Sequence, residues 1–211
     1  MHEASSRNTL IVFAKYPEPG KVKTRLAEDI GAERAATIYS YMAETVINNV
    51  SNQGNYRTEI FFDPPDKDKE IRSWLGNTPD SYLPQHGDTL GGRISNAFRT
   101  VFSGVSDRAV IIGTDCLDVS ADMVRYAFEC LENYHSVIGP ADDGGYYLLG
   151  LNRYEPEIFQ NIDWSTDQVL KQTMGRIKEK GLSLFMLDPL TDIDTVFDLG
   201  PEFLTKVQGG I

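Results

Sequence analysis

A short basic segment is the part of this sequence whose residue types most directly suggest chemistry. It contains Lys15, Lys21, Lys23 and Arg25. Because 20 of the 211 residues are Lys or Arg, composition alone predicts about one basic residue in these eleven positions. The prolines and glycine at 17–20 prevent helix formation and expose backbone N–H groups. Cations, exposed amides and the start of a following helix favour an anion site, with a solvated basic loop as the alternative.

Several familiar nucleotide and hydrolase motifs are absent from the sequence. The basic segment lacks the Gly-x-x-x-x-Gly-Lys-[Ser/Thr] spacing of a P-loop, and no Gly-x-Gly-x-x-Gly follows the first apolar run. A Rossmann dehydrogenase is therefore disfavoured. Only His86 of the three histidines lies near a glycine turn, and no Ser–His–Asp or Cys–His arrangement is evident. A hydrolase with a covalent intermediate is disfavoured for that reason.

An aspartate follows the apolar run at 109–112 and could hold a metal ion. Asp115 would lie at the tip of a central strand, where the bound phosphate of a neighbouring loop would repel it. A divalent cation converts that repulsion into a bridge, so we predict a metal role for Asp115. Asp118 either shares the cation or caps the following helix near Ser120.

Two further acidic segments follow later in the chain. Asp143 directly precedes the glycine pair Gly144 and Gly145, which permits positive φ or the close approach of a ligand. A plain hairpin turn accounts for the same residues equally well. Asp192 and Asp194 alternate, so in an extended segment their side chains would share one face.

Alternating strands and helices predict the scaffold that would position these residues. Predicted strands cover 8–14, 58–62, 82–85, 109–112, 136–139, 146–151 and 182–187, and predicted helices cover 32–50, 67–75, 90–102 and 166–180, with one more capped by Ser120. This order favours βαβ units and a mostly parallel sheet, in which ligands bind at the carboxyl ends of the strands. We expect a flexible tail over 1–8 and a single domain over 9–211.

Composition limits the partners and the compartment. The net charge of −11 opposes binding to nucleic acid and to anionic membranes. No apolar stretch approaches the roughly 20 residues of a membrane span. Cys116 and Cys130 are too few and too far apart for a zinc site or a disulfide framework, so we predict reduced thiols and a cytoplasmic protein.

Six ordered motifs between Thr9 and Leu199 resemble those of small bacterial glycosyltransferase-like proteins, some named for arsenosugar biosynthesis, in the nucleotide-diphospho-sugar transferase superfamily. The motifs are Phe13-Ala-Lys15-x-Pro-x-Pro-Gly20-x-Val-Lys23-Thr-Arg25-Leu26, Leu90-Gly91-x-Arg93, Gly113-Thr-Asp115-Cys, Gly139-Pro-Ala-x-Asp143-Gly-Gly-Tyr146, Trp164-Ser-Thr166 and Asp192-Ile-Asp194-Thr. The resemblance implies a GT-A-like three-layer α/β/α sandwich, mostly parallel with one reversed strand.

The resemblance also implies roles for individual residues. The family is similar to guanylyltransferases, which implies Mg²⁺ or Mn²⁺ held by Asp115, Asp192 and Asp194. The implied nucleotide-binding residues are Phe13, Ala14, Lys15, Gly20, Lys23, Arg25, Arg93 and Thr114. The implied catalytic residues are Lys23, Asp115 and Asp143, and the expected acceptor-binding residues are Asp143, Gly144 and Gly145.

We therefore expect an enzyme that moves a sugar from a nucleotide-sugar to a small acceptor with the help of a metal. Nucleotidyl transfer from a nucleoside triphosphate, with release of pyrophosphate, is the alternative, because it needs the same anion site. A nucleotide-binding module without activity is a third possibility, which the intact Asp115, Asp192 and Asp194 disfavour.

Overall fold

A computed structural model describes residues 7–200 and contains one seven-stranded sheet. The strands are β1 (Asn8–Lys15), β2 (Arg57–Asp63), β3 (Ser81–Pro84), β4 (Arg108–Ile112), β5 (Ser136–Pro140), β6 (Tyr146–Leu151) and β7 (Leu184–Met186). Their order in the sheet is β3-β2-β1-β4-β6-β5-β7. Strand β6 runs antiparallel to both β4 and β5, and the other pairs are parallel. The predicted mostly parallel sheet with one reversed strand is confirmed.

Helices lie on both faces of this sheet. They are α1 (Thr24–Ile30), α2 (Ala32–Val50), α3 (Asp68–Leu75), α4 (Leu90–Phe102), α5 (Ala121–Cys130) and α6 (Val169–Glu179), with single 3-10 turns at Pro65–Lys67, Pro156–Phe159 and Val196–Asp198. Capping side chains set two of the starts. The hydroxyl of Thr89 accepts a hydrogen bond from the Gly92 N–H at the start of α4, and that of Ser120 accepts one from the Met123 N–H at the start of α5.

The central strand β1 shows how the layers form. Its side chains alternate between the two faces, as the period of a strand requires. Leu10, Val12 and Ala14 pack with α2, α3 and α5 on one face. Ile11 and Phe13 pack with α4 and α6 on the other. The two resulting cores make the predicted three-layer α/β/α sandwich.

The start of α6 corrects one expectation. We predicted a helix from Thr166, but α6 begins at Val169. Ser165 has the left-handed φ of 65°, and the Thr166 hydroxyl donates to the Asp163 carbonyl while accepting from the Gln168 N–H. These local side-chain bonds compete with the helix and leave 166–168 as a turn.

Other expectations concern the tail, the thiols and membranes. Asn8 already belongs to β1, while residues 1–6 of the predicted tail lie outside the described range. Cys116 and Cys130 are both buried free thiols. Within residues 7–200, no helix combines the length and the apolar character needed to cross a bilayer.

Candidate active site

A cleft of about 860 Å³ opens at the carboxyl ends of β1 and β4. It collects most of the residues that the sequence predicts for the site: Phe13, Ala14, Lys15, Lys23, Arg25, Arg93, Thr114, Asp115, Asp143, Gly145, Asp192 and Asp194. Gly20 and Gly144 are not among its lining residues. The parallel sheet brings these distant segments together, because the loops that follow neighbouring parallel strands emerge at the same edge.

Lys23 lies at the centre of the charged part of the cleft. It precedes α1 with a φ of 44°, and its side chain is only 4% exposed. Its ammonium is 2.5 Å from Asp115 Oδ1 and 3.0 Å from Asp194 Oδ1. Burial alone would lower the pKa of Lys23, but the two carboxylates outweigh it and hold the pKa above its usual value. Lys23 therefore remains charged and joins two predicted metal ligands.

The other basic residues of segment 15–25, which we call the first loop, are arranged differently. The Arg25 guanidinium lies 3.2 Å from Asp194 Oδ2, and most of its side chain is exposed. Lys15 is exposed at the end of β1 and lines the cleft. Lys21 lines only a smaller cavity next to it, of about 310 Å³. Lys15 and Arg25 are thus the cations of this loop that a bound anion could reach without rearrangement of Lys23.

Asp192 is a carboxylate of the cleft whose surroundings disfavour its ionised form. Burial raises its pKa to about 6, and the nearby charges of Asp115 and Asp143 act in the same direction. The Cys116 thiol donates a hydrogen bond to Asp192 Oδ1, which opposes the shift. Burial, together with the Asp192 charge, raises the pKa of the Cys116 thiol. Cys116 is thus a protonated hydrogen-bond donor rather than a nucleophile.

Tyr39 links the end of β1 to the segment after β4 by hydrogen bonds. The sequence did not predict this link. The Tyr39 hydroxyl accepts hydrogen bonds from the Lys15 N–H, at 2.8 Å, and from Thr114 Oγ1, at 3.2 Å. Burial raises the pKa of Tyr39, so the phenol remains protonated. Tyr39 belongs to the apolar stripe of α2, which indicates a core residue, and nothing in the sequence indicated the hydrogen bonds of its hydroxyl.

A second wall of the cleft, also missing from the predicted site residues, contains Trp164, Ser165, Thr166 and Asp167. A Cβ atom on Gly91 would lie 2.2 Å from Trp164 Nε1, so the indole packs directly on the first turn of α4. A Cβ atom on Gly144, whose φ is 88°, would lie 2.4 Å from the Asp167 carbonyl oxygen. Glycine is therefore required at position 144 because the backbone of Asp167 packs directly against it, and not because a ligand approaches there. The signal was present in the motif Trp164-Ser-Thr166, to which the sequence analysis assigns no contact.

Comparisons with known proteins assign the chain that forms this cleft to a family. A family model described as uncharacterized protein conserved in bacteria, DUF2064, matches residues 46–166. The crystal structure of a protein from Desulfovibrio desulfuricans G20, provisionally named a nucleotide-diphospho-sugar transferase, superimposes with a TM-score of 0.86 at 34% identity. The match covers 92% of this chain and 84% of that chain. The chain belongs to the DUF2064 family.

More distant structures share the fold of this DUF2064 protein. The inositol-1-phosphate CTP transferase from T. maritima matches with a TM-score of 0.55 at 12% identity, over 99% of this chain and 98% of that one. A manganese complex of a Mycobacterium tuberculosis H37Rv protein matches with a TM-score of 0.54 at 11% identity, over 97% and 98%. No curated protein matches in sequence. The match to the Desulfovibrio desulfuricans protein, together with the family model, confirms the predicted membership of the nucleotide-diphospho-sugar transferase superfamily.

The carboxylates of this DUF2064 cleft can be tested for their fit to a divalent cation. Among residues 7–200, no three His, Cys, Asp or Glu side chains form a ready metal cluster. Asp115 and Asp194 nevertheless converge on one positive charge, the Lys23 ammonium. Their oxygens, with those of Asp192 nearby, suit a hard cation such as Mg²⁺ or Mn²⁺. The donor types fit such an ion, and a metal role for the three aspartates stays a prediction.

Proposed function

We propose that this DUF2064 protein transfers a glycosyl group from a nucleotide-sugar to a small acceptor, with a divalent cation as cofactor. The observation that carries the proposal is the convergence of Asp115 and Asp194 on Lys23, beside a loop with Lys15 and Arg25. Cations and metal-binding carboxylates placed together suit a diphosphate. The family relationship to a provisional nucleotide-diphospho-sugar transferase supports the same ligand class.

In the proposed reaction, the acceptor oxygen attacks the anomeric carbon of the sugar and forms a new carbon–oxygen bond. The bond between that carbon and the diphosphate oxygen breaks, and the nucleoside diphosphate leaves with the electron pair. Lys15 and Arg25 stabilise the negative charge that develops on the departing diphosphate. Asp143, which is exposed and lines the cleft, accepts the proton of the acceptor hydroxyl.

A divalent cation held by Asp115, Asp192 and Asp194 would supply further neutralisation of the diphosphate. Asp192 would favour binding of this cation, because a neighbouring positive charge offsets the cost of ionising a partly buried carboxylate. Gly20 lies outside the lining of the cleft, and its φ of 78° serves the turn in which the Lys21 N–H donates to the Glu18 carbonyl.

Nucleotidyl transfer is the second candidate. It is favoured by the number of basic residues in and around the first loop, since a triphosphate carries more charge than a diphosphate. In that reaction an acceptor phosphate attacks the α-phosphorus and pyrophosphate leaves. The fold shared with a CTP transferase is compatible with this candidate.

The released product separates the two candidates. We would incubate the purified protein with Mn²⁺ and a panel of nucleotide-sugars or nucleoside triphosphates, and identify the products by ion-exchange chromatography. We expect slow release of a nucleoside diphosphate from at least one nucleotide-sugar, with water in place of the acceptor. Pyrophosphate from a triphosphate, without turnover of any nucleotide-sugar, would establish the second candidate instead. A protein that binds no nucleotide in the presence of Mg²⁺ or Mn²⁺ would be an inactive module.

The remaining expectations stay predictions of the same proposal. They are a cytoplasmic location, a single domain over 9–211, and no binding to nucleic acid or membranes. The net charge of −11 supports the last of these.

A further inference from the structure

The charges of the cleft are divided between its walls. The basic side chains lining it belong to the first loop and to α4: Lys15, Lys23, Arg25 and Arg93. The wall between residues 143 and 169 contributes Asp143 and Asp167, and none of its lining residues is Lys, Arg or His. The rest of the lining combines these cations with Asp115, Asp192 and Asp194, whereas the wall between residues 143 and 169 presents only negative charge to whatever lies against it.

The two carboxylates of the second wall are not neutralised by the protein. The Gly145 N–H donates to Asp143 Oδ1 at 2.8 Å, and the Gln168 amide donates to Asp167 Oδ1 at 3.0 Å. In the described part of the chain, neither carboxylate forms an ion pair, whereas Lys23 and Arg93 do. Both aspartates are exposed and keep oxygens for hydroxyl or ammonium donors. A phosphate in the same place would meet two like charges.

Trp164 adds a flat apolar surface beside these carboxylates. Its indole lines the cleft and is partly buried, because it packs on Gly91. The C–H face of a sugar or cyclic polyol can pack on an indole while its hydroxyls reach carboxylates at the rim. The combination of one aromatic face and two unpaired carboxylates selects for ring-shaped molecules rich in hydroxyl or amino groups.

Contacts within the protein hold this wall in place. Asp163 and Gln172 form two hydrogen bonds of 2.7 Å, which fix the start of the segment to α6. The Leu170 N–H donates to the Gly144 carbonyl at 2.9 Å. Ser165 keeps a left-handed backbone, a conformation that costs energy for a residue other than glycine and often marks a functional segment. A wall held this way is preorganised for binding.

We propose that Trp164, Asp143 and Asp167 form the acceptor subsite, and that it takes a neutral or amine-bearing polyhydroxylated ring rather than a phosphorylated one. The inference rests on the proposed function, because it assumes that the anionic donor lies against the basic side chains of the first loop and α4. It names the class of acceptor, and it disfavours an acceptor phosphate as the attacking group at this wall.

Binding of three matched probes tests the proposal. Trp74 and Trp164 are the two tryptophans of the chain, so a Trp74→Phe protein reports on Trp164 by its fluorescence. We would titrate it with methyl α-D-glucopyranoside, glucosamine and glucose 6-phosphate, and repeat the titrations by calorimetry on the unsubstituted chain. We expect the neutral sugar or the amine to bind at least about tenfold more tightly than the phosphate. Equal or tighter binding of glucose 6-phosphate would overturn the proposal, as would no binding of any probe.

Paired substitutions identify the source of the selectivity. The double variant Asp143→Asn, Asp167→Asn should reduce the preference over glucose 6-phosphate, since it removes both like charges. Asp142→Asn is the matched control, because Asp142 lies one residue away, bonds to Thr191 and is not a lining residue. An unchanged preference in the double variant would contradict the inference. Nucleotide binding with Mn²⁺, measured separately, tests the proposed function, so the two can fail independently.

Discussion

The Lys23 ammonium lies 2.5 Å from the Asp115 carboxylate and 3.0 Å from that of Asp194, with almost no access to solvent. A residue predicted to contact phosphate thus directly contacts two residues predicted to bind metal. Lys23 and Arg25 together balance the charges of Asp115 and Asp194. The nearby Asp192 adds a third carboxylate, so the group retains net negative charge and attracts a further cation. Lys23 therefore has two separable roles, in holding the carboxylates and in binding phosphate, and substitution can measure both.

Lys23→Ala should lower both stability and nucleotide affinity. Loss of the ammonium leaves Asp115 and Asp194 facing each other, which we expect to cost roughly 1–2 kcal/mol, because both carboxylates keep access to water. If Lys23 also contacts phosphate, nucleotide binding should weaken by about 1.5–3 kcal/mol. Urea denaturation measures the first effect and calorimetry the second.

Nucleoside binding and Lys21→Ala serve as the controls for this substitution. Lys21 belongs to the same loop but does not line the large cleft, so its replacement should leave nucleotide affinity nearly unchanged. Lys23→Ala should affect a nucleotide and leave the corresponding nucleoside almost unaffected. Equal losses for both ligands would show that Lys23 acts only by organising the carboxylates.

Asp115→Ala should abolish metal-dependent nucleotide binding while the fold remains intact. The reason is that Asp115 follows β4 and lines the cleft, where it would hold the proposed cation beside the diphosphate. Titration with Mn²⁺ and nucleotide measures the loss, and circular dichroism checks the fold. Asp118→Ala is the matched control, since Asp118 follows the same strand but is not part of the cleft. Affinity as high as that of the unsubstituted protein would remove Asp115 from the metal site.

Asp192 gives a prediction about pH. Its pKa in the folded protein is about 6, above the ordinary value of 3.8, so the native state binds more protons than the unfolded chain between those values. Its contribution to stability therefore falls as the pH rises through this window. Asp192→Asn cannot ionise, and its melting temperature relative to the unsubstituted protein should be higher at about pH 7.5 than at about pH 4. The comparison requires a chelator, and an equal difference at both values would contradict it.

The sequence predicted the scaffold well because the relevant signals are local. The helices at α2 and α4 were predicted with the bounds that the structure has, since an apolar stripe with helical period and a definite start fix each one. The basic loop and the aspartates were predicted as parts of one site, because residues after parallel strands share an edge of the sheet.

The missing parts of the site depend on contacts between distant segments. Tyr39 occupies a core position of α2, and only the fold brings its hydroxyl to Lys15 and Thr114. The pairing of Lys23 with carboxylates about 90 and 170 residues away along the chain leaves no local pattern. Trp164 was a motif without an assigned contact, and its role in the cleft wall became evident only from its packing on Gly91.

Gly91→Ala tests whether the packing of Trp164 on α4 holds the second wall in place. The added methyl group would lie 2.2 Å from Trp164 Nε1, so the indole must move. Overpacking of this kind costs about 1–3 kcal/mol, which urea denaturation would measure, and the displaced ring should change the fluorescence of a Trp74→Phe background. Gly175→Ala is the matched control, because Gly175 lies within α6 and a Cβ there meets no atom within 4 Å. This control should gain about 0.5–1 kcal/mol from helix propensity. If Gly91→Ala is as stable as Gly175→Ala and its fluorescence is unchanged, Trp164 is not held by this contact and the wall is not preformed.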